Sequence, residues 1–152
     1  MSEFTYNPIQ VVEANQNVIL NTSIGCNKGY VIHRNESGVV ILRGIVNNPN
    51  SCFARYQVTF NGNIALPDEA PVGPISIALA LDGEPLQTSR AIVSPTVVDS
   101  YFNVTSTAII TVPKGCCFSV AVENTSASAT PGTTPAPAIN VQNANLTVSR
   151  IA

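Results

Sequence analysis

A chain of 152 residues that is 45% hydrophobic carries enough apolar material for one domain with a substantial core. Only 11% of it is charged, against the roughly 25% usual for soluble domains, so part of its surface is expected to be polar without charge and part buried against copies of itself. A net charge of −2 with scattered Lys and Arg excludes the basic footprint of a nucleic-acid binder, and no apolar run approaches the ~20 residues of a membrane-crossing helix.

Residues 1–8, MSEFTYNP, read as an extended N-terminal arm ending at Pro8, and 9–152 as a single domain. The N-terminus lacks the basic region and apolar stretch of a secretory signal, which suits a particle assembled inside the cell, such as a virion. A short strand is expected from Ile9 to Ala14, a turn at Asn15–Asn17 and a returning strand from Val18 to Thr22. Tyr30–His33 and Val39–Arg43 form a hairpin around Asn35-Glu36-Ser37-Gly38, where Gly and Asn are suited to positive φ.

Ala54 to Leu66, ARYQVTFNGNIAL, organises the rest. Ala54, Tyr56, Val58, Phe60, Gly62, Ile64 and Leu66 lie on one face, with Arg55, Gln57, Thr59, Asn61 and Asn63 on the other. A period of two held over this length is a half-buried strand and requires a second sheet to cover its apolar face. Gly62, on the inward face, marks a bend or bulge. The loop 67–74 leads to ISIALAL (Ile75–Leu81), apolar enough to be buried on both faces, and Asp82-Gly83 turns the chain back into Glu84–Thr88. Arg90–Val98 is an extended link broken by Pro95. Tyr101–Val112 is a long strand, and Pro113-Lys114-Gly115 turns it into Cys116–Glu123. TSASATPGTTPAPA, residues 125–138, is an uncharged Pro-rich loop, and Asn140–Ile151 closes the chain with Ala144, Leu146 and Val148 on one side and Val141 and Ile151 on the other. About ten short strands and no helical period make an all-β, two-sheet sandwich or jelly roll.

ARYQVTFNGNIAL, LALDGEPL, ITVPKGCCFSVAVENTS and NANLTVSRIA together resemble the tumour-necrosis-factor-like jelly rolls, a superfamily that includes complement globular heads and the tip domains of bacterial spore filaments. The resemblance covers residues 54–152. It implies a ten-stranded jelly roll assembled as a compact homotrimer through one sheet and the long aromatic strand. On that basis Tyr56, Val58, Phe60, Tyr101, Phe102, Arg55 and Gln57 are the expected subunit interface. Members serve as structural tips, receptor ligands or recognition heads and are not, as a rule, enzymes. Without a collagen-like stalk, the chain fits a free-standing trimer on a particle, such as a bacteriophage capsid decoration or fibre head, with 1–8 as its docking arm. The alternative is a trimeric module that holds a glycan or receptor through loops 67–74, 82–90 and 125–138.

No catalytic, cofactor or metal constellation emerges. His33 is the only histidine and completes neither a metal-ligand set nor a triad. Asp82, Glu84 and Asp99 are oxygen donors without the spacing of a calcium loop and read as turn acids. Cys26, Cys52, Cys116 and Cys117 form no CxxC. They read as buried free thiols, with Cys26–Cys52 as the competing disulfide and Cys116 and Cys117 on opposite faces of a strand.

Overall fold

The computed structural model describes residues 1–25, 29–34, 36–128, 132 and 134–152. In chain order its strands are β1 (Ser2–Tyr6), β2 (Gln10–Val12), β3 (Thr22–Ile24), β4 (Val31–His33), β5 (Val40–Arg43), β6 (Phe53–Ala65), β7 (Ile75–Leu81), β8 (Glu84–Pro85), β9 (Ala91–Val93), β10 (Phe102–Pro113), β11 (Cys117–Asn124) and β12 (Ile139–Arg150). A 3-10 turn at Gln87–Ser89 separates β8 from β9. Two six-stranded sheets result: β10-β6-β12-β1-β3 with β2 beside β12, and β4-β5-β11-β7-β8 with β9 beside β7. This is the expected jelly roll. Its twelve described strands exceed the expected ten because the N-terminal segment pairs as β1 and part of the extended link after Arg90 pairs with β7 as β9.

β6 is the axis of the first sheet. It pairs with β10 along its whole length and with β12 on its other side. Its inward residues Tyr56, Val58, Phe60 and Ile64 are all 0% exposed and face Leu42, Leu79, Val120 and Val122 of the second sheet in one core. Gly62 does lie inward, but the bulge is in its partner: the register of β12 slips between Gln142 and Asn145, with Asn143 at φ 55°. That extra residue places Val141 on the same buried face as Ala144, Leu146 and Val148, where strict alternation put it on the opposite one. Gly62 itself makes room for an aromatic ring, since a Cβ there would stand 2.8 Å from Phe60 Cζ.

The N-terminal residues are extended but not a free arm. β1 pairs with both β12 and β3, and Phe4 is fully buried, so the segment is a strand of the first sheet. An apolar residue in an alternating stretch found a place in the core. Val18 and Leu20 are also buried, although the expected strand from Val18 to Thr22 reduces to a bridge of Asn17 to Glu123 and the later β3. The β4–β5 hairpin forms as expected. Glu36, rather than Gly38, takes the positive φ, and Asn35 lies outside the described residues. Gly38 is required by contact instead: a Cβ would fall 1.9 Å from the Val18 carbonyl oxygen.

Two buried polar groups give testable consequences. The Tyr56 hydroxyl donates to the carbonyl of Arg43 at 2.5 Å and lies 3.4 Å from that of Tyr30, tying the second sheet to β6; burial pushes its phenol up from the ordinary value. Tyr56→Phe leaves those carbonyls without this donor and is expected to cost about 1–2 kcal/mol in urea denaturation. Glu123 sits on β11, and burial, reinforced by the charge of Glu84, holds its carboxyl above the usual carboxylate range. The folded chain therefore keeps this proton more tightly than the unfolded one. Its stability falls as pH rises from the ordinary carboxylate pKa through the raised folded value. Glu123→Gln is expected to raise the melting temperature at pH 7 and to lose that advantage in acid, as read from calorimetry across pH.

Candidate functional site

The outward face of the first sheet is the most unusual surface of the molecule. Strand pairing aligns its side chains in rows across the strands. Thr107, Thr59, Thr147 and Glu3 form one row, and Thr105, Asn61, Asn145 and Thr5 form the next. Asn103, Asn63 and Gln142 follow on one side, and Ile109, Gln57 and Ser149 on the other. The rows are cross-linked. Thr59 and Thr107 share a hydroxyl hydrogen bond of 2.9 Å, and Asn103 Nδ2 donates to Asn61 Oδ1 at 3.0 Å and to Asn63 Oδ1 at 3.2 Å. Asn63 Nδ2 reaches Asn143 Oδ1 at 3.2 Å, and Asn145 donates to Glu3. β-Branched and amide side chains held this way have already lost much of the rotamer freedom that binding would remove.

Charge is nearly absent from this face, with Glu3 near one edge and Arg55 at the end of β6. An antiparallel sheet that meets water usually guards itself with Lys and Glu. Here Ile109, 65% exposed, stands in the open on the edge strand β10.

The expected interface residues divide sharply. Tyr56, Val58 and Phe60 are corrected: at 0% exposed they fill the subunit's own core and cannot touch another copy. The aromatic strand is inward because alternation makes its apolar side the core side, which leaves the polar side for contacts. Arg55 and Gln57 lie on that outward side and are exposed. Phe102 is 38% exposed but shares the inward parity of Val104, at the open end of the sandwich; Tyr101 precedes the strand. Thr105, Thr107 and Ile109 were absent from the expected set, although the alternation of β10 already placed them beside Tyr101 and Asn103.

The three loops of the alternative reading meet at one cavity. Pro74 from 67–74, Arg90 from 82–90, and Ala127 and Ser128 from 125–138 line one cavity of about 430 Å³, with the exposed Ile92 beside them. Arg90 is fixed there by bonds from Nε to Ser76 Oγ at 3.1 Å and from an Nη to the Thr125 carbonyl at 3.3 Å. Residues 129–131 and 133 of that loop lie outside the described residues.

The remaining candidates have structural places. His33 lies against Phe4, ring centroids 4.8 Å apart, with Nε2 3.3 Å from the Ser37 carbonyl. Asp82 takes positive φ in its turn and accepts from Ser119 N at 2.8 Å. Asp99 is held above the usual range by its hydrogen bond with Asp68. Among the described residues no three His, Cys, Asp or Glu converge as a metal site. Cys52, Cys116 and Cys117 are free thiols but exposed, where burial was expected; Cys26 lies outside the described residues.

No family model matches the chain, and no curated protein is significantly similar in sequence. Among solved structures, the globular domain of zebrafish complement 1qA superposes with a TM-score of 0.55 at 14% identity, over 99% of this chain and 97% of that one. The chain therefore shares the jelly-roll fold of that complement globular head. The C-terminal domain of EclA, described as a sugar-binding protein, gives a TM-score of 0.41 at 12% identity over 95% and 79% of the two chains, too distant to carry an argument.

Proposed function

We propose that this chain is a non-enzymatic structural subunit that assembles as a homotrimer through the outward face of its first sheet and is displayed on a particle surface, such as a bacteriophage capsid or fibre head. The observation that carries the reading is that face itself: row upon row of Thr, Asn, Gln and Ser in pre-formed ladders, almost without charge. Packing three copies together removes it from water at little desolvation cost, because its groups remain paired while Ile109 and neighbouring methyls are buried. Light scattering at micromolar concentration is expected to give three times the 16.0 kDa subunit mass. A folded monomer across that range overturns the assembly. Labelling with an antibody against the chain tests display, and purified particles should carry the label.

A second reading is favoured by the cavity in which Pro74, Arg90 and Ser128 meet: the same subunit recognises a glycan or receptor through these loops. Deleting 127–136 and probing a glycan array separates the readings, since a purely structural subunit loses no binding with the loop.

A further inference from the structure

At the opposite end of the sandwich, where β6 begins, a second cavity of about 500 Å³ is lined by Tyr30, Arg43, Val46, Asn47, Asn48 and Arg150, with Gly29, Gly44 and Ile45 completing it. Its position follows from the sheets. Arg150 pairs with Tyr56 at the end of β12 and reaches across the open end of the sandwich, its guanidinium 4.4 Å from the centroid of the Tyr30 ring. Arg43 ends β5, and its main-chain N donates to the Tyr30 carbonyl at 2.8 Å. The Tyr56 hydroxyl beneath binds the Arg43 carbonyl, so Tyr56 ties together the three elements that carry Tyr30, Arg43 and Arg150.

The electrostatics of this cavity are one-sided. Among the described residues no acidic side chain lines it, and the sequence has no Asp or Glu from 37 to 67, from 100 to 122 or from 124 to 152. Arg55 and Lys114 lie on adjoining acid-free segments, while Asp68, Glu69 and Asp99 are at the far end of β6. Each guanidinium has five N–H donors. Among the described residues Arg43 uses Nη1 on the Gly29 carbonyl at 3.3 Å, and Arg150 uses Nε on the Ala152 oxygen at 3.1 Å. The other donors have no acceptor among the described residues. Two guanidiniums that line one cavity with unused donors lower their mutual repulsion by taking up an anion.

We propose that this cavity binds the carboxylate of an acidic sugar, held by Arg43 and Arg150. A planar guanidinium matches a carboxylate with two parallel hydrogen bonds. The cavity exceeds what a small inorganic anion fills and lies within the usual range for small-molecule sites. Asn47 and Asn48 supply amides for ring hydroxyls, and the exposed Val46 supplies an apolar contact for the face of a pyranose ring. The site opens between the sheets at the end of the sandwich, away from the outward face of the first sheet.

The test is an NMR titration of the full chain at low salt with methyl β-D-glucuronide and with N-acetylneuraminic acid. Methyl β-D-glucoside, inorganic phosphate and N-acetylglutamate serve as comparators. At least one acidic sugar is expected to bind with Kd on the order of 1 mM or tighter and to shift the Arg43 and Arg150 side chains and the amides of 44–48. The neutral glucoside should bind at least about tenfold more weakly, and so should Arg43→Gln and Arg150→Gln with the acidic sugar. Arg150→Gln removes a stacking contact, so the exposed-loop variant Asn47→Ala provides a second reading, with affinity lowered about threefold and the fold unchanged. Shifts confined to other residues, or no saturable binding of either acidic sugar, overturn the site. Equal or tighter binding of phosphate or N-acetylglutamate overturns the sugar assignment.

Discussion

Lysine at both Thr59 and Thr107 is expected to leave a folded 16.0 kDa monomer in place of the proposed trimer. The two threonines are directly opposite on β6 and β10 and share a hydroxyl hydrogen bond in the middle of the outward face. In an isolated subunit the substitution is mild. Lysine reaches into water, and the cost is the lost bond plus repulsion of like charges across the strands, about 1 kcal/mol in total. In the proposed assembly every copy would bury two ammonium groups against partners whose matching face has Glu3 as its one acid near an edge. Each buried, unpaired charge costs several kcal/mol, enough to weaken association by more than about a thousandfold. Circular dichroism should remain that of a β sandwich while the scattering mass falls. Ile32→Lys, an exposed position on the second sheet, is the control and should leave the trimer intact. A double-lysine chain that remains trimeric places the interface elsewhere.

The contrast between Phe60 and Thr59 shows what a sequence of this kind exposes and what it hides. Alternation identifies β6, its two faces and the need for a covering sheet, because hydrophobic burial acts on each residue according to its side of the strand. The same logic legibly separates Asn103, Thr105 and Thr107 from Val104 and Ile110. It does not say which polar faces come together, since that depends on strand order. β10, β6, β12 and β1 are distant in sequence, and only their pairing turns scattered Thr and Asn into rows. Following the apolar residues to the interface put Tyr56, Val58 and Phe60 there, whereas a sandwich consumes its own aromatic face first. The slip in β12 was hidden for a related reason. A bulge at Asn143 breaks the period locally, and no glycine announces it, because asparagine tolerates positive φ. The arginine cavity was equally silent: Tyr30, Arg43 and Arg150 belong to three segments that meet only where the two sheets end.

A large loss of stability from a single added methyl is expected at Gly44. This residue follows β5 and packs edge-on against the turn that joins β10 to β11, donating its N–H to the Cys116 carbonyl at 2.9 Å. A Cβ there would fall 2.1 Å from the Pro113 carbonyl oxygen and 3.2 Å from that of Cys116, both main-chain atoms. Neither can swing aside as a side chain would. The turn is clamped by its own bonds, from Cys116 N to the Pro113 carbonyl, from Gly115 N to the Ile45 carbonyl and from Lys114 N to the Cys52 carbonyl. Gly44→Ala must therefore move β5 or the turn as a unit and open the core beside Val112. The cost is expected at the upper end for overpacking, about 3 kcal/mol, or roughly 6–12 °C in melting temperature for a chain of this size. Gly83→Ala is the informative comparison. No atom lies within 4 Å of a Cβ there, so its cost comes only from the positive φ of 86° and should be about 1 kcal/mol. Thermal melts of the two variants side by side separate the physical causes: near-equal losses would mean that backbone conformation, rather than the close approach of two main chains, is why glycine stands at 44.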